Sequence, residues 1–144
     1  MNEHNIDGQH IYFNESEWSC KCGKPDCTLK GATPHKDLMT ILNLIRYRLN
    51  QPVKLNSVLR CDKHDIEAKK FRETGKMGSH NRGHAADISL SNMSEATQVD
   101  LIKLFGTLNL VGDTYNTTPI ITGIGCGKAF IHIDVHEPVR YWSY

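Results

Sequence analysis

The run FIHIDVH at residues 130–136 restricts the fold more than any other segment of the chain. Written as a strand, its period of two sends Ile131, Ile133 and Val135 to one face and Phe130, His132, Asp134 and His136 to the other. The aliphatic face can enter a core. The opposite face carries two imidazoles and a carboxylate, which are costly to bury unless solvated, paired or bound to a metal. The segment Ala85 to Leu90 sorts in the same way: Ala86, Ile88 and Leu90 face inward, and Asp87 projects from the other side between the small Ala85 and Ser89. His80 lies seven residues before Asp87, on a loop whose Gly83 lets the chain turn so that imidazole and carboxylate converge.

Two imidazoles and one carboxylate suit a catalytic zinc, because three protein ligands leave the fourth tetrahedral position for water. Zinc would lower the pKa of that water towards roughly 7 and polarise a carbonyl oxygen, the two services amide hydrolysis needs. A single His, or a single His-to-Asp spacing, is more often a surface or satisfied core feature. Their conjunction points to a small zinc-dependent amide hydrolase.

The 144 residues, 39% apolar and 23% charged, fit one globular domain spanning 1–144. At this length roughly 70% of the unfolded surface can be buried, so the fold needs neither disulfide nor metal merely to exist. A net charge of +1 with no basic block excludes an electrostatic footprint for nucleic acid or anionic lipid. Met1 to His10 are polar and lack the apolar core of a signal peptide, and no stretch approaches the roughly 18 apolar residues of a membrane span. A soluble monomer made in a cytoplasm is expected.

Up to Ala32 the chain reads as loop, with Phe13 and Trp18 as anchors. Thr33 as N-cap and Pro34 in the first turn open a helix carrying Leu38, Ile41, Leu42, Ile45 and Leu49, which Pro52 ends. Alternation from Val53 to Leu59 predicts a strand; a helix follows over Ile66 to Glu73, stopping at Gly75. A further helix begins near Asn92 or Ser94 and runs to Gly106, before strands at Ile120 to Ile124 and Phe130 to Val135. Such an order predicts an α+β domain with a mainly antiparallel sheet. Of five cysteines, Cys20, Cys22, Cys27 and Cys61 admit three readings: plain buried thiols, a pairing with Cys61, or part of a zinc knuckle of unusual spacing whose fourth ligand is unassigned.

These residues resemble the zinc D-alanyl-D-alanine carboxypeptidase family, whose fold is shared with the hedgehog signalling domain. In SHNRGHAAD, His80, Gly83, Ala85 and Asp87 match the family's central motif. SVLRCDKHD is similar to its Ser-Gly-Tyr-Arg-Cys segment at Ser57, Arg60, Cys61 and His64, with Asp65 where Asn is usual. FIHIDVHEPVRYW is similar to its closing His-x-Asp strand and trailing Arg and Trp, at His132, Asp134, Arg140 and Trp142. The opening ESEWSCKCG resembles the start of the compact, phage-associated branch.

The resemblance implies His80, Asp87 and His132 as ligands of one zinc per chain, and Arg60 as donor to the substrate carbonyl or its oxyanion rather than as a mere surface ion pair. It implies cleavage of the bacterial peptidoglycan stem peptide by a D,D-carboxypeptidase or an endolysin-like endopeptidase, acting at the cell wall after release or carried on a virion. The chain departs from the family at Ala129 and Phe130, where many relatives carry the general base. Asp134 is then the first choice for the base and His136 the second; Asp134 has the competing role of orienting a ligand imidazole. Ser79 is a substrate-binding candidate, although the usual Ser falls at Gly78; Arg82 and His84 are rim residues, and the stretch from Arg60 to His80 is longer than typical. The rival expectation is a zinc-fold binding or phage structural protein without turnover.

Overall fold

The computed structural model describes residues 12–115 and 120–144, so residues 1–10 and their expected lack of a signal peptide lie outside it. Helices α1 (Glu15–Trp18), α2 (Lys36–Leu49), α3 (Asp65–Thr74) and α4 (Glu95–Tyr115) are joined by strands β1 (Leu55–Ser57) and β2 (Ala85–Ser89), and strands β3 (Gly123–Cys126), β4 (Phe130–Asp134) and β5 (Arg140–Ser143) follow in succession. The described strands form one sheet in the order β1-β2-β4-β3-β5, antiparallel except for the β3–β5 pair. The expected α+β architecture is therefore what forms. Among the described residues, no helix is long and apolar enough to cross a membrane.

The core lies between the sheet and helices α2 and α4. Leu38, Ile41, Leu42 and Ile45 of α2 pack in one cluster with Leu101, Leu104, Phe105 and Leu108 of α4 and with Ala86, Ile88, Ile131 and Ile133 of the sheet. Phe13 and Trp18 are buried in it, as their anchoring role requires.

Several boundaries differ from the sequence reading. Helix α2 is capped by His35, not Thr33: Gly83 O accepts the His35 N–H at 2.9 Å, holding the chain extended there, and His35 Nδ1 accepts from Asp37 N. β1 is shorter than the Val53–Leu59 alternation because its register to β2 shifts between Leu55 and Ser57. The strand expected at Ile120–Ile124 begins instead at Gly123, since both backbone groups of Ile121 are taken by the Asn109 side-chain amide, at 2.8 and 2.9 Å. β4 ends at Asp134, one residue early. β5, unforeseen as a strand, pairs alongside β3.

Gly106 does not end α4, which continues to Tyr115. Glycine inside a helix costs about 1 kcal/mol relative to Ala. Burial of Leu104, Phe105 and Leu108 on the same helix contributes about 1.5–3 kcal/mol for each fully buried side chain and outweighs it. A Cβ on the exposed Gly106 would meet nothing within 4 Å. Gly106→Ala should accordingly raise Tm by roughly 2–3 °C in calorimetry; an unchanged or lower Tm would show that the glycine is needed there.

Candidate metal centre

The β2–β4 register sets Asp87 directly opposite His132. Directly paired residues of an antiparallel ladder lie on the same face with Cβ atoms about 4.5–5.5 Å apart, close enough for a carboxylate to meet an imidazole. Asp87 Oδ1 lies 3.0 Å from His132 Nδ1. His80 arrives from the loop before β2, where Gly83 adopts φ +74° and donates its N–H to His80 O. His80 Nδ1 donates to Val58 O at 2.7 Å, which fixes the tautomer and leaves the lone pair on Nε2.

That lone pair is the decisive detail. His80 Nε2 is buried and makes no hydrogen bond, yet it lies 3.3 Å from Asp87 Oδ1, outside hydrogen-bond geometry. An acceptor nitrogen facing a carboxylate oxygen is repulsive without a cation between them. The donor separations of 3.0 and 3.3 Å also lie near the edge of about 3.3 Å of a tetrahedron with zinc bonds of about 2.05 Å. His80, Asp87 and His132 are all buried, and their donor atoms meet the spacing of a metal-holding group. Two nitrogens and one carboxylate oxygen fit zinc.

Charge at the centre follows from its partners. His132 places Nδ1 on Asp87 and Nε2 on Asp134 Oδ2 at 2.8 Å. Burial opposes its protonation, but the hydrogen bonds to Asp134 and Asp87 outweigh burial and raise its pKa. A proton on Nδ1 thus stands where a cation would. Burial pushes His80 below the usual imidazole value despite Asp87. Asp87 is held well below the usual carboxylate range: burial acts the other way, but the hydrogen bond from His132 prevails.

Asp134 is completely buried and fully engaged. It accepts from His132 Nε2 and Thr122 Oγ1, and from both terminal nitrogens of Arg140 at 3.1 and 2.7 Å. Gly123, its partner across β3–β4, makes this possible, because a Cβ there would meet Asp134 Oδ1 at 2.3 Å. Gly125, opposite His132, likewise gives Trp142 its place, with the indole 5.1 Å from the imidazole. The sequence reading missed both glycines. Their period-two spacing, matching that of His132 and Asp134, was the signal.

Arg60 is held by Ser57 Oγ at 2.9 Å and donates to Asp87 Oδ2 at 3.0 Å. Ser79 is buried beside His80 and accepts the His84 N–H through its carbonyl. Gly78, where the resemblance would place a Ser, donates its N–H to the buried Glu67, whose carboxylate and Lys70 fill the space a side chain would need. Arg82 and His84 both bind Glu137. His136 stands apart from the triad: β4 has ended, its φ is +59°, and its Nε2 bonds Asp37 at 2.6 Å. The period-two sorting that set it beside His132 therefore does not reach it.

The family model described as Peptidase M15 matches residues 11–134, spanning the metal-holding loop and both ladder strands. The chain belongs to the peptidase M15 family. No curated protein matches it. Family membership places the M15 chain among zinc metallopeptidases, and the triad supplies donors that suit the metal.

Two outcomes follow for the M15 chain. Because the raised His132 pKa makes a proton compete for Nδ1, apparent zinc affinity should fall by on the order of tenfold per pH unit as pH drops below that pKa, measured by competition with a chelator. A flat affinity between about pH 7.5 and 5.5 would contradict this. Gly123→Ala should destabilise the fold by roughly 1–3 kcal/mol in denaturant titration, through overpacking against Asp134.

Proposed function

We propose that this chain hydrolyses peptide bonds of the bacterial peptidoglycan stem, as a zinc-dependent D,D-carboxypeptidase or endolysin-like endopeptidase. The observation that carries the reading is the unbonded His80 Nε2 aimed at Asp87 within a buried His-Asp-His set. Support for the substrate comes from the resemblance of SHNRGHAAD, SVLRCDKHD and FIHIDVHEPVRYW to the zinc D-alanyl-D-alanine carboxypeptidases.

His80 Nε2, Asp87 and His132 Nδ1 would hold one zinc, which supplies a Lewis acid for the scissile carbonyl and a bound water with a pKa near 7. The protein's own residues do the rest. Val58 O fixes the His80 tautomer, and Asp134 takes the Nε2 proton side of His132, so that Nδ1 faces the metal. With every oxygen engaged, Asp134 serves as a positioning residue rather than as the proton acceptor. Arg60 already sits on Asp87, from which its permanent charge can stabilise a developing oxyanion beside the same centre.

A second reading, a binder that holds metal without turnover, has its own support. Ala129 and Phe130 occupy the positions where relatives carry the base, Asp134 is saturated, and His136 is paired with Asp37. Mass spectrometry of defined muropeptides separates the two. The peptidase reading expects cleavage that is abolished by chelator and restored by zinc; stoichiometric zinc with no product above background selects the binder. Asp134→Ala should weaken zinc binding by roughly 10–100-fold, as loss of the group orienting a ligand imidazole does. A variant that kept full zinc affinity but lost turnover would instead make Asp134 the proton acceptor.

A further inference from the structure

A second group of metal-ligating side chains lies outside the hydrolytic centre. Cys20, Cys22, Cys27 and Cys61 bring their four sulfurs within 4.8 Å of one another. All are free thiols, and Cys61 Sγ lies 3.7 Å from Cys22 Sγ, far beyond the disulfide bond length of about 2.05 Å. It is close to the edge of about 3.8 Å of a tetrahedron whose metal–sulfur bonds are about 2.3 Å. Two backbone amides also point at the sulfurs: Cys61 N to Cys20 Sγ at 3.3 Å and Lys24 N to Cys22 Sγ at 3.4 Å. Donors so placed stabilise thiolate rather than thiol.

The surroundings suit an anionic metal–thiolate cluster. Residues 20–32 contain no helix or strand, yet the segment lies across the turn that joins β1 to α3. Lys21 Nζ binds Asn56 O, Lys24 Nζ binds Lys63 O and Asp65, and Thr28 binds Asp62. The loop has no ladder of its own, and a crosslink through the four cysteines would tie it to the turn at Cys61. Cys61 directly follows Arg60, the residue bonded to Asp87, so the crosslink would anchor the very turn that carries Arg60.

We propose that Cys20, Cys22, Cys27 and Cys61 form a closed tetrathiolate site for a structural zinc ion, separate from the hydrolytic centre. Four soft thiolates suit zinc, and with no position left for water the site is a staple rather than a reaction centre. It supplies the fourth ligand that the sequence spacing left unassigned.

The test uses the full chain purified under reducing conditions with zinc, and a His80→Ala/Asp87→Ala double variant in which the hydrolytic centre is lost. Elemental analysis should find two zinc ions per wild-type chain and one in the double variant. With cobalt supplied in place of zinc, the double variant should keep an intense thiolate-to-cobalt charge-transfer absorption. Cys22→Ser/Cys27→Ser should lose that band and one equivalent of metal; because this variant can fail to fold, the double variant carries the decision. No metal and no thiolate band in the folded double variant would overturn the proposal. So would a mass spectrum of the alkylated native chain showing these cysteines joined as disulfides. Failure of the hydrolytic reading would appear elsewhere, as wild-type protein holding only the thiolate-bound ion.

Discussion

Asp87 stands directly across from His132 in the β2–β4 ladder, and most of the site depends on that pairing. A slip of one residue would turn Asp87 into the aliphatic core and Ile88 towards the imidazole. Register is protected on the core side by Ala86 against Ile133 and Ile88 against Ile131, pairs that bury apolar surface only in this alignment. The hydrophobic pattern that folds the sheet therefore also assembles the carboxylate and imidazole. His80 completes the set through a loop held by Val58 O and by the turn at Gly83.

Burying so many ionisable groups together is tolerable only because each finds a partner. Asp134 is covered by Arg140, Thr122 and His132, and Asp87 by Arg60 and His132. The exception is His80 Nε2, which is left without a hydrogen bond. Natural proteins seldom leave a buried polar atom so, and a bound ion or a catalytic role is among the reasons where they do. The gap at His80 falls inside the donor triangle, where a metal ion would fill it.

Much of this was legible in the sequence. The alternations of FIHIDVH and of Ala85 to Leu90 gave two ladder strands, and the helical spacing of Leu38 to Ile45 gave the main buried helix. What stayed hidden depends on contacts distant in the chain. Nothing local reveals that Asn109 occupies the backbone of Ile121, or that Gly83 O relocates the helix cap to His35. His136 was misplaced for a local reason instead, since a strand that stops at Asp134 no longer obeys a period of two. The convergence of Cys61 on Cys20, Cys22 and Cys27 likewise needs the fold, since Cys61 lies 39 and 41 residues along the chain from Cys22 and Cys20.

Anomalous diffraction at the zinc edge, on crystals grown with zinc, tests the central claim most directly. The account predicts a peak about 2.0–2.1 Å from His80 Nε2, from His132 Nδ1 and from an Asp87 oxygen, with Asp134 still on His132 Nε2. A triad without a peak, its side chains bonded to one another around no ion, would contradict it.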